Sequence, residues 1–238
     1  MRTGLQRAVT VAVAALMTLV AVGTASAEAT SERLTGTDRY LTSVAVSKKA
    51  FPGGAGTVFL ASGEQYPDAL VTGAAAGAYD YPVLLTRRDS IPEPVRAELE
   101  RLNPATIIIV GGPAAVSTEV ERDARNEGGV IRLAGANRYD TAVLVAEWAF
   151  NPGMKVAYLA PGASFPDALS GGVAGAQVDG PVLLTSRRAL PLETAQHLAD
   201  FKPGRIVILG GPNAVTEKVA TEAAKYAPVS RLAGADRF

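Results

Sequence analysis

Pro82-Val83-Leu84-Leu85-Thr86 returns letter for letter as Pro181-Val182-Leu183-Leu184-Thr185, 99 residues further along the chain. A short apolar run without polar alternation is the pattern of a strand buried on both faces, as strands are in parallel sheets. The same interval relates Arg33-Leu34-x-Gly36-x-x-Arg39-Tyr40 to Arg132-Leu133-x-Gly135-x-x-Arg138-Tyr139. It also relates Pro67-Asp68-Ala69-Leu70 to Pro166-Asp167-Ala168-Leu169, and Gly111-Gly112-Pro113 to Gly210-Gly211-Pro212. About 40 of the 99 aligned positions are identical, and no gap is needed. The chain is therefore a tandem duplication, with copies at 33–131 and 132–230 and a third copy opening at 231–238. A period this long makes one small domain per copy, which excludes a solenoid of short units.

Around the repeated strand, each copy alternates helical and strand periods. In the first copy the spacing predicts a helix from Asp38, which caps it, to Phe51, where Pro52-Gly53-Gly54 ends it. A buried strand over 57–61 follows, and then a helix opened by Pro67 with Asp68 at its positive end. Gly73, Ala74, Ala75, Ala76 and Gly77 give that helix a surface that a neighbour can approach closely. After the 82–86 strand come a helix over 92–102, a β-branched strand over 106–110, a helix over 117–125 and a strand over 130–133. Strands separated by helices give an α/β class, with a Rossmann-like three-layer sandwich and a parallel sheet in each copy. The junction at Val130-Ile131-Arg132-Leu133 reads as strand throughout, so the two modules should dock rigidly with no linker.

Arg2 and Arg7 precede an apolar run over 8–22, and Ala25-Ser26-Ala27 supplies a small-x-small cleavage pattern. Residues 1–27 therefore read as a secretory signal peptide. Cleavage there removes 2 of 23 Lys and Arg and none of 23 Asp and Glu, leaving 21 against 23, a net charge of minus 2. That balance gives no diffuse electrostatic footprint for nucleic acid. With no Cys, there is neither a disulfide framework nor a lipid-bearing thiol. No further run approaches spanning length, so no membrane association is expected after cleavage.

Chemistry built into a repeat should recur at matched positions. His197, the single histidine, fails that test: its counterpart is Glu98, and it reads as part of a polar helix face. One His and no Cys leave no basis for a His-clustered metal site or thiol nucleophile, so neither cofactor nor metal is expected. Asp68 and Asp167 do match, at the strand ends where open α/β sheets hold ligands, although a carboxylate there also serves as a helix-terminus residue. The Gly111-Gly112-Pro113 turn lacks the G-x-G-x-x-G spacing, and its Pro removes a donor that a phosphate cradle needs, so a tight turn is the favoured reading. Arg88 and Arg187 also match, as do Arg39, Arg138 and Arg237. Arginines at strand ends can fork onto phosphate or carboxylate, or pair with Asp68 and Asp167.

Four ordered motifs, R-L-x-G-x-[DN]-R-Y, [YF]-P-D-A-L, P-V-L-L-T and I-x-I-[VL]-G-G-P-x-A-V, together resemble the cell wall-binding repeat 2 family of exported Gram-positive proteins. The resemblance implies a non-catalytic Rossmann-like or toprim-like module, in tandem copies, that is secreted and held on the wall. Its implied partner is an anionic secondary wall polymer, teichoic-acid-like or another polysaccharide, bound without a covalent link. The family's apolar attachment motif corresponds to Val83, Leu84 and Leu85 and to Val182, Leu183 and Leu184. The family usually has three copies about a pseudo-threefold axis, so two copies imply a fragment or truncated product that self-associates through the place of a missing third module. Two other readings stand beside this one: a nucleotide- or sugar-binding α/β enzyme, and a self-assembling surface-layer protein. Within the first reading, anionic groups are expected near Arg88 and Arg187 in a groove between modules, while Val83 to Leu85, as a buried strand, act indirectly.

Overall fold

The computed structural model describes residues 31–163 and 165–234, and those from Leu34 onward belong to one compact unit. The expected signal peptide and the end of the third copy, Asp236 to Phe238, lie outside the described residues, as does the side chain of Asp167. The first copy gives α1 (Arg39–Ala50), β1 (Thr57–Ser62), α2 (Tyr66–Tyr79), β2 (Val83–Thr86), α3 (Glu93–Leu102), β3 (Thr106–Val110), α4 (Thr118–Ala124) and β4 (Gly129–Leu133). The second repeats the order as α5 (Arg138–Ala149), β5 (Ala157–Pro161), α6 (Phe165–Val178), β6 (Val182–Thr185), α7 (Leu192–Phe201), β7 (Ile206–Leu209), α8 (Glu217–Ala223) and β8 (Val229–Leu232).

Local chemistry sets these boundaries. The Asp38 carboxylate accepts from the Leu41 N–H at 2.8 Å, and Asn137 does the same for α5 from Tyr139 and Asp140. Ser117 caps α4 through the Val120 N–H. Asp80 and Asn103 end α2 and α3 in the left-handed region, at φ 56° and 49°.

Two parallel four-stranded sheets result, ordered β2-β1-β3-β4 and β6-β5-β7-β8. Successive residues of the central strands point to opposite faces. On the outer face of the first sheet, Val58, Leu60, Ile107 and Ile109 pack with Val44 of α1, Leu99 of α3 and Val120 of α4. On its inner face, Phe59, Ile108 and Val110 join Val71 and Ala75 of α2 in a core continuous with that of the second module. This is the expected three-layer α/β arrangement, with the inner layer shared between modules. β4 departs from the expected cover on both faces: it is an edge strand whose exposure alternates, and Ile131 is 44% exposed.

The modules dock through α2 and α6, as the small residues of α2 suggest. Gly73 meets Gly172 backbone to backbone, and a methyl on Gly77 would run into the Cβ of Ala176. The second module's α5 closes the joint: the Trp148 ring sits edge-on to Phe59 at 5.4 Å and against Tyr79 at 5.5 Å. The Tyr79 hydroxyl donates to the Ala149 carbonyl at 3.0 Å.

His197 corrects the sequence reading. It is 2% exposed rather than on a polar face, stacked on Phe201 at 3.9 Å, with neither ring nitrogen hydrogen-bonded. Its counterpart Glu98 is also buried, with partners the His lacks: Ser47 at 2.6 Å and Arg101 at 2.6 and 2.8 Å. A polar residue type hid an inward position, because the first module neutralises it with a hydrogen-bonded ion pair and the second with an uncharged ring.

Candidate site at the strand carboxyl ends

Parallel strands bring the carboxyl ends of each sheet to one edge, and the loops there carry most of the polar residues singled out by the repeat. In the first module these are 63–65 after β1, 87–92 after β2, 111–117 after β3 and 134–137 after β4. Thr86 and Thr185, each fully buried at the end of the repeated strand, turn their hydroxyls onto the Ser90 and Ala189 carbonyls. Those bonds hold the turn that presents Arg88 and Arg187. The backbone carbonyls of the two arginines accept from Ser117 and Thr216, tying the second loop to the third in both modules.

Arg88 and Arg187 are exposed, and the contacts of each stay within its own module. Arg88 pairs with Asp89 at 3.1 Å, both side chains being more than half exposed, an arrangement of small energetic worth. The Nε of Arg187 donates to the Asn213 carbonyl at 2.6 Å. Neither pairs with Asp68. Of the apolar motif, Leu84, Val182, Leu183 and Leu184 are buried and Val83 and Leu85 half-buried, so none of the six side chains is freely exposed.

Other repeated arginines serve the scaffold. Arg132 donates to the carbonyls of Gly111, Val116 and Ser117 and pairs with Glu121 at 2.8 Å, pinning the third loop; Arg231 repeats this against Gly210, Val215 and Glu217. Arg39 and Arg138 reach the carbonyls of Gly63 and Gly162 just past β1 and β5.

Asp68 stands apart from these contacts. It lies in the first turn of α2, 8% exposed, and its carboxylate makes no hydrogen bond among the described residues. Burial pushes its pKa above the ordinary value, and Arg138, reaching over from the second module, pulls it partly back. The sequence marked Asp68 and Arg138 separately as repeated residues, and the docking of α5 beside α2 puts Arg138 within electrostatic reach of Asp68. Among the described residues no cluster of acidic, His or Cys side chains could hold a metal ion, and no helix is long and apolar enough to cross a membrane.

Comparison with known proteins gives this arrangement its family. The model of cell wall binding domain 2 matches residues 33–121 and again 132–220. The N-acetylmuramoyl-L-alanine amidase LytC of Bacillus subtilis is 29% identical over 91% of this chain and 43% of its own length. The amidase enhancer of the same organism is 28% identical over 88% of this chain and 28% of its own. The chain thus spans less than half the length of either relative. Among solved structures, Cwp6 from Clostridium difficile superposes with a TM-score of 0.80 and 28% identity, over 90% of this chain and 36% of that one. Two successive family matches, each spanning the first three strands of one parallel sheet with most of their helical cover, show that the chain belongs to the cell wall binding domain 2 family and is a secreted, cell wall-associated protein.

Proposed function

We propose that this cell wall-binding chain acts without catalysis, holding an exported protein on the Gram-positive wall by non-covalent contacts to an anionic secondary polymer, its signal peptide at 1–27 removed. The observation that carries this reading is the pair of loops that display Arg88 and Arg187, built alike in two modules from a buried strand, a buried Thr and a cross-loop backbone bond. Two such loops on one rigid body give multivalency along a repeating polyanion. The near-neutral chain makes the attraction local rather than a property of the whole surface. Val83 to Leu85 and Val182 to Leu184 act through this architecture, as the strands from which the loops spring. Changing both Arg88 and Arg187 to Glu should release the folded protein from isolated walls, measured by co-sedimentation with a melting curve as the folding control. Undiminished retention would remove the role given to these arginines.

Assembly into a self-associated surface layer has one observation in its favour. An apolar groove of about 420 Å³ runs along α2 and α6 past Leu70, Gly73, Gly77 and Ala176, beside Val173 at 66% exposure. Light scattering that grows without limit in the absence of wall material would favour that reading over anchoring.

A further inference from the structure

The two arginine loops share a backbone arrangement but not a charge. In the first module Arg87 and Arg88 stand with Glu64 and Asp89, two cations and two anions that sum to zero. Both acids are in contact with the loop: Asp89 lies 3.1 Å from the Arg88 guanidinium, and Glu64 accepts from the Arg88 N–H at 3.3 Å. The Arg87 guanidinium is placed over the Tyr40 ring, 5.7 Å from its centre. The second module has Ala163 where the first has Glu64, and Arg188 where it has Asp89. Ser186 takes the place of Arg87, so the turn at 186–189 carries two cations and no acid, a charge of plus 2.

The second turn is also the more firmly tied. The Ser186 hydroxyl donates to the Ala189 carbonyl at 2.8 Å and accepts from the Ala189 N–H at 3.1 Å, a closure that the Arg87 side chain cannot make. Nε of Arg187 is fixed on the Asn213 carbonyl at 2.6 Å, which leaves its two terminal nitrogens for an acceptor. Arg188, exposed beside it, makes no hydrogen bond or ion pair among the described residues. The acid tied to this corner is Glu222, which accepts from the Leu190 N–H at 2.9 Å and has the Lys218 ammonium 3.7 Å away.

An anion approaching Arg88 meets a carboxylate 3.1 Å from the guanidinium, well inside the screening length of about 8 Å. An anion approaching Arg187 meets a second arginine instead. We propose that the 186–189 turn is the principal polyanion contact of the chain, that Arg188 makes it together with Arg187, and that the 87–90 turn is a weaker second contact. This rests on the wall-polymer reading for the ligand and adds an order of strength between the modules.

The test measures binding of the full chain to long-chain inorganic polyphosphate and, in parallel, its co-sedimentation with isolated native walls at the same ionic strength. R187A/R188A should lose about ten times more affinity for polyphosphate than R87A/R88A, and R188A alone should lose about threefold or more. E64A/D89A, which gives the first loop the net charge of the second, should tighten binding. All of these side chains are exposed, and melting curves confirm that each variant folds. Equal losses in the two double variants, or a greater loss in R87A/R88A, would overturn the proposal. So would a folded R188A chain that binds unchanged, or a folded E64A/D89A chain that binds no tighter. If the order among the variants holds on polyphosphate while the chain fails to sediment with walls, the anchoring function falls and the ranking of the loops stands. Retention on walls with equal losses in both double variants removes the ranking alone, and binding to neither removes both.

Discussion

Asp68 and Glu98 are both buried carboxylates, and they answer burial in opposite ways. Burial pushes the Glu98 pKa up, but hydrogen bonds from Arg101 and Ser47 outweigh it and hold the carboxyl below its usual value. Asp68 has only the distant pull of Arg138, and its carboxyl is held above the usual value. A carboxyl whose pKa is higher in the folded state destabilises the fold when ionised. That cost is complete above the folded pKa and absent below the unfolded one. Asp68→Asn should therefore raise the melting temperature at pH 7, with the gain disappearing as the pH falls below about 3.8. A lower melting temperature at pH 7 would show that the helix terminus favours the charge by more than burial costs it. His197 gives the opposite pH dependence. Burial pushes its pKa down to about 4, against a small upward pull from Asp200, with Glu147 of α5 at 3.7 Å also facing the ring. The unfolded chain then takes up this proton first, so stability falls as pH drops from about 6.5 and the loss is complete below about 4. The gap corresponds to about 3 kcal/mol at most. Thermal melts from pH 7 to pH 4 should show this decline, and His197→Leu should flatten it.

The repeated elements explain why so much of the fold is legible in the sequence and where legibility stops. Helices and strands are written in local periodicity, so Leu84 and Leu183 announce a buried strand and Asp38 and Asn137 announce helix starts. Leu84→Ala should cost about 2 to 5 kcal/mol in denaturant unfolding, because the side chain is fully enclosed. Any loss of wall binding in that variant then follows from stability unless the folded fraction is held constant. What local pattern cannot show is which face meets a partner. Ile131 reads as core but lies exposed on an edge strand, and His197 reads as surface but is enclosed. The pull of Arg138 on Asp68 comes from a helix that starts 70 residues further along the chain. Trp148 has Lys49 as its counterpart, so the aromatic joint with Phe59 and Tyr79 belongs to the junction between modules and not to the repeat itself. Trp148→Ala should cost less than a fully buried aromatic's loss of about 3 to 5 kcal/mol, since the ring is half-buried, and should loosen that junction, which hydrogen exchange in α2 and α5 would reveal.

Taken together, the modules are two sheets sharing a layer of core. Phe59, Val71 and Ile108 of the first lie in one continuous apolar cluster with Val156, Leu184 and Ile206 of the second. Separating the modules would expose that layer, so calorimetry should find one cooperative transition, and two resolved transitions would argue against a shared core. The same rigidity keeps the two arginine loops at a constant spacing for a repeating ligand, and salt should weaken the attachment because the contacts are exposed charges. The decisive measurement is co-sedimentation of the full chain with isolated native walls and with the same walls stripped of their anionic secondary polymer. Retention on native walls that is lost on stripped walls is the expected result, whereas equal retention on both, or none on native walls, would contradict anchoring through that polymer.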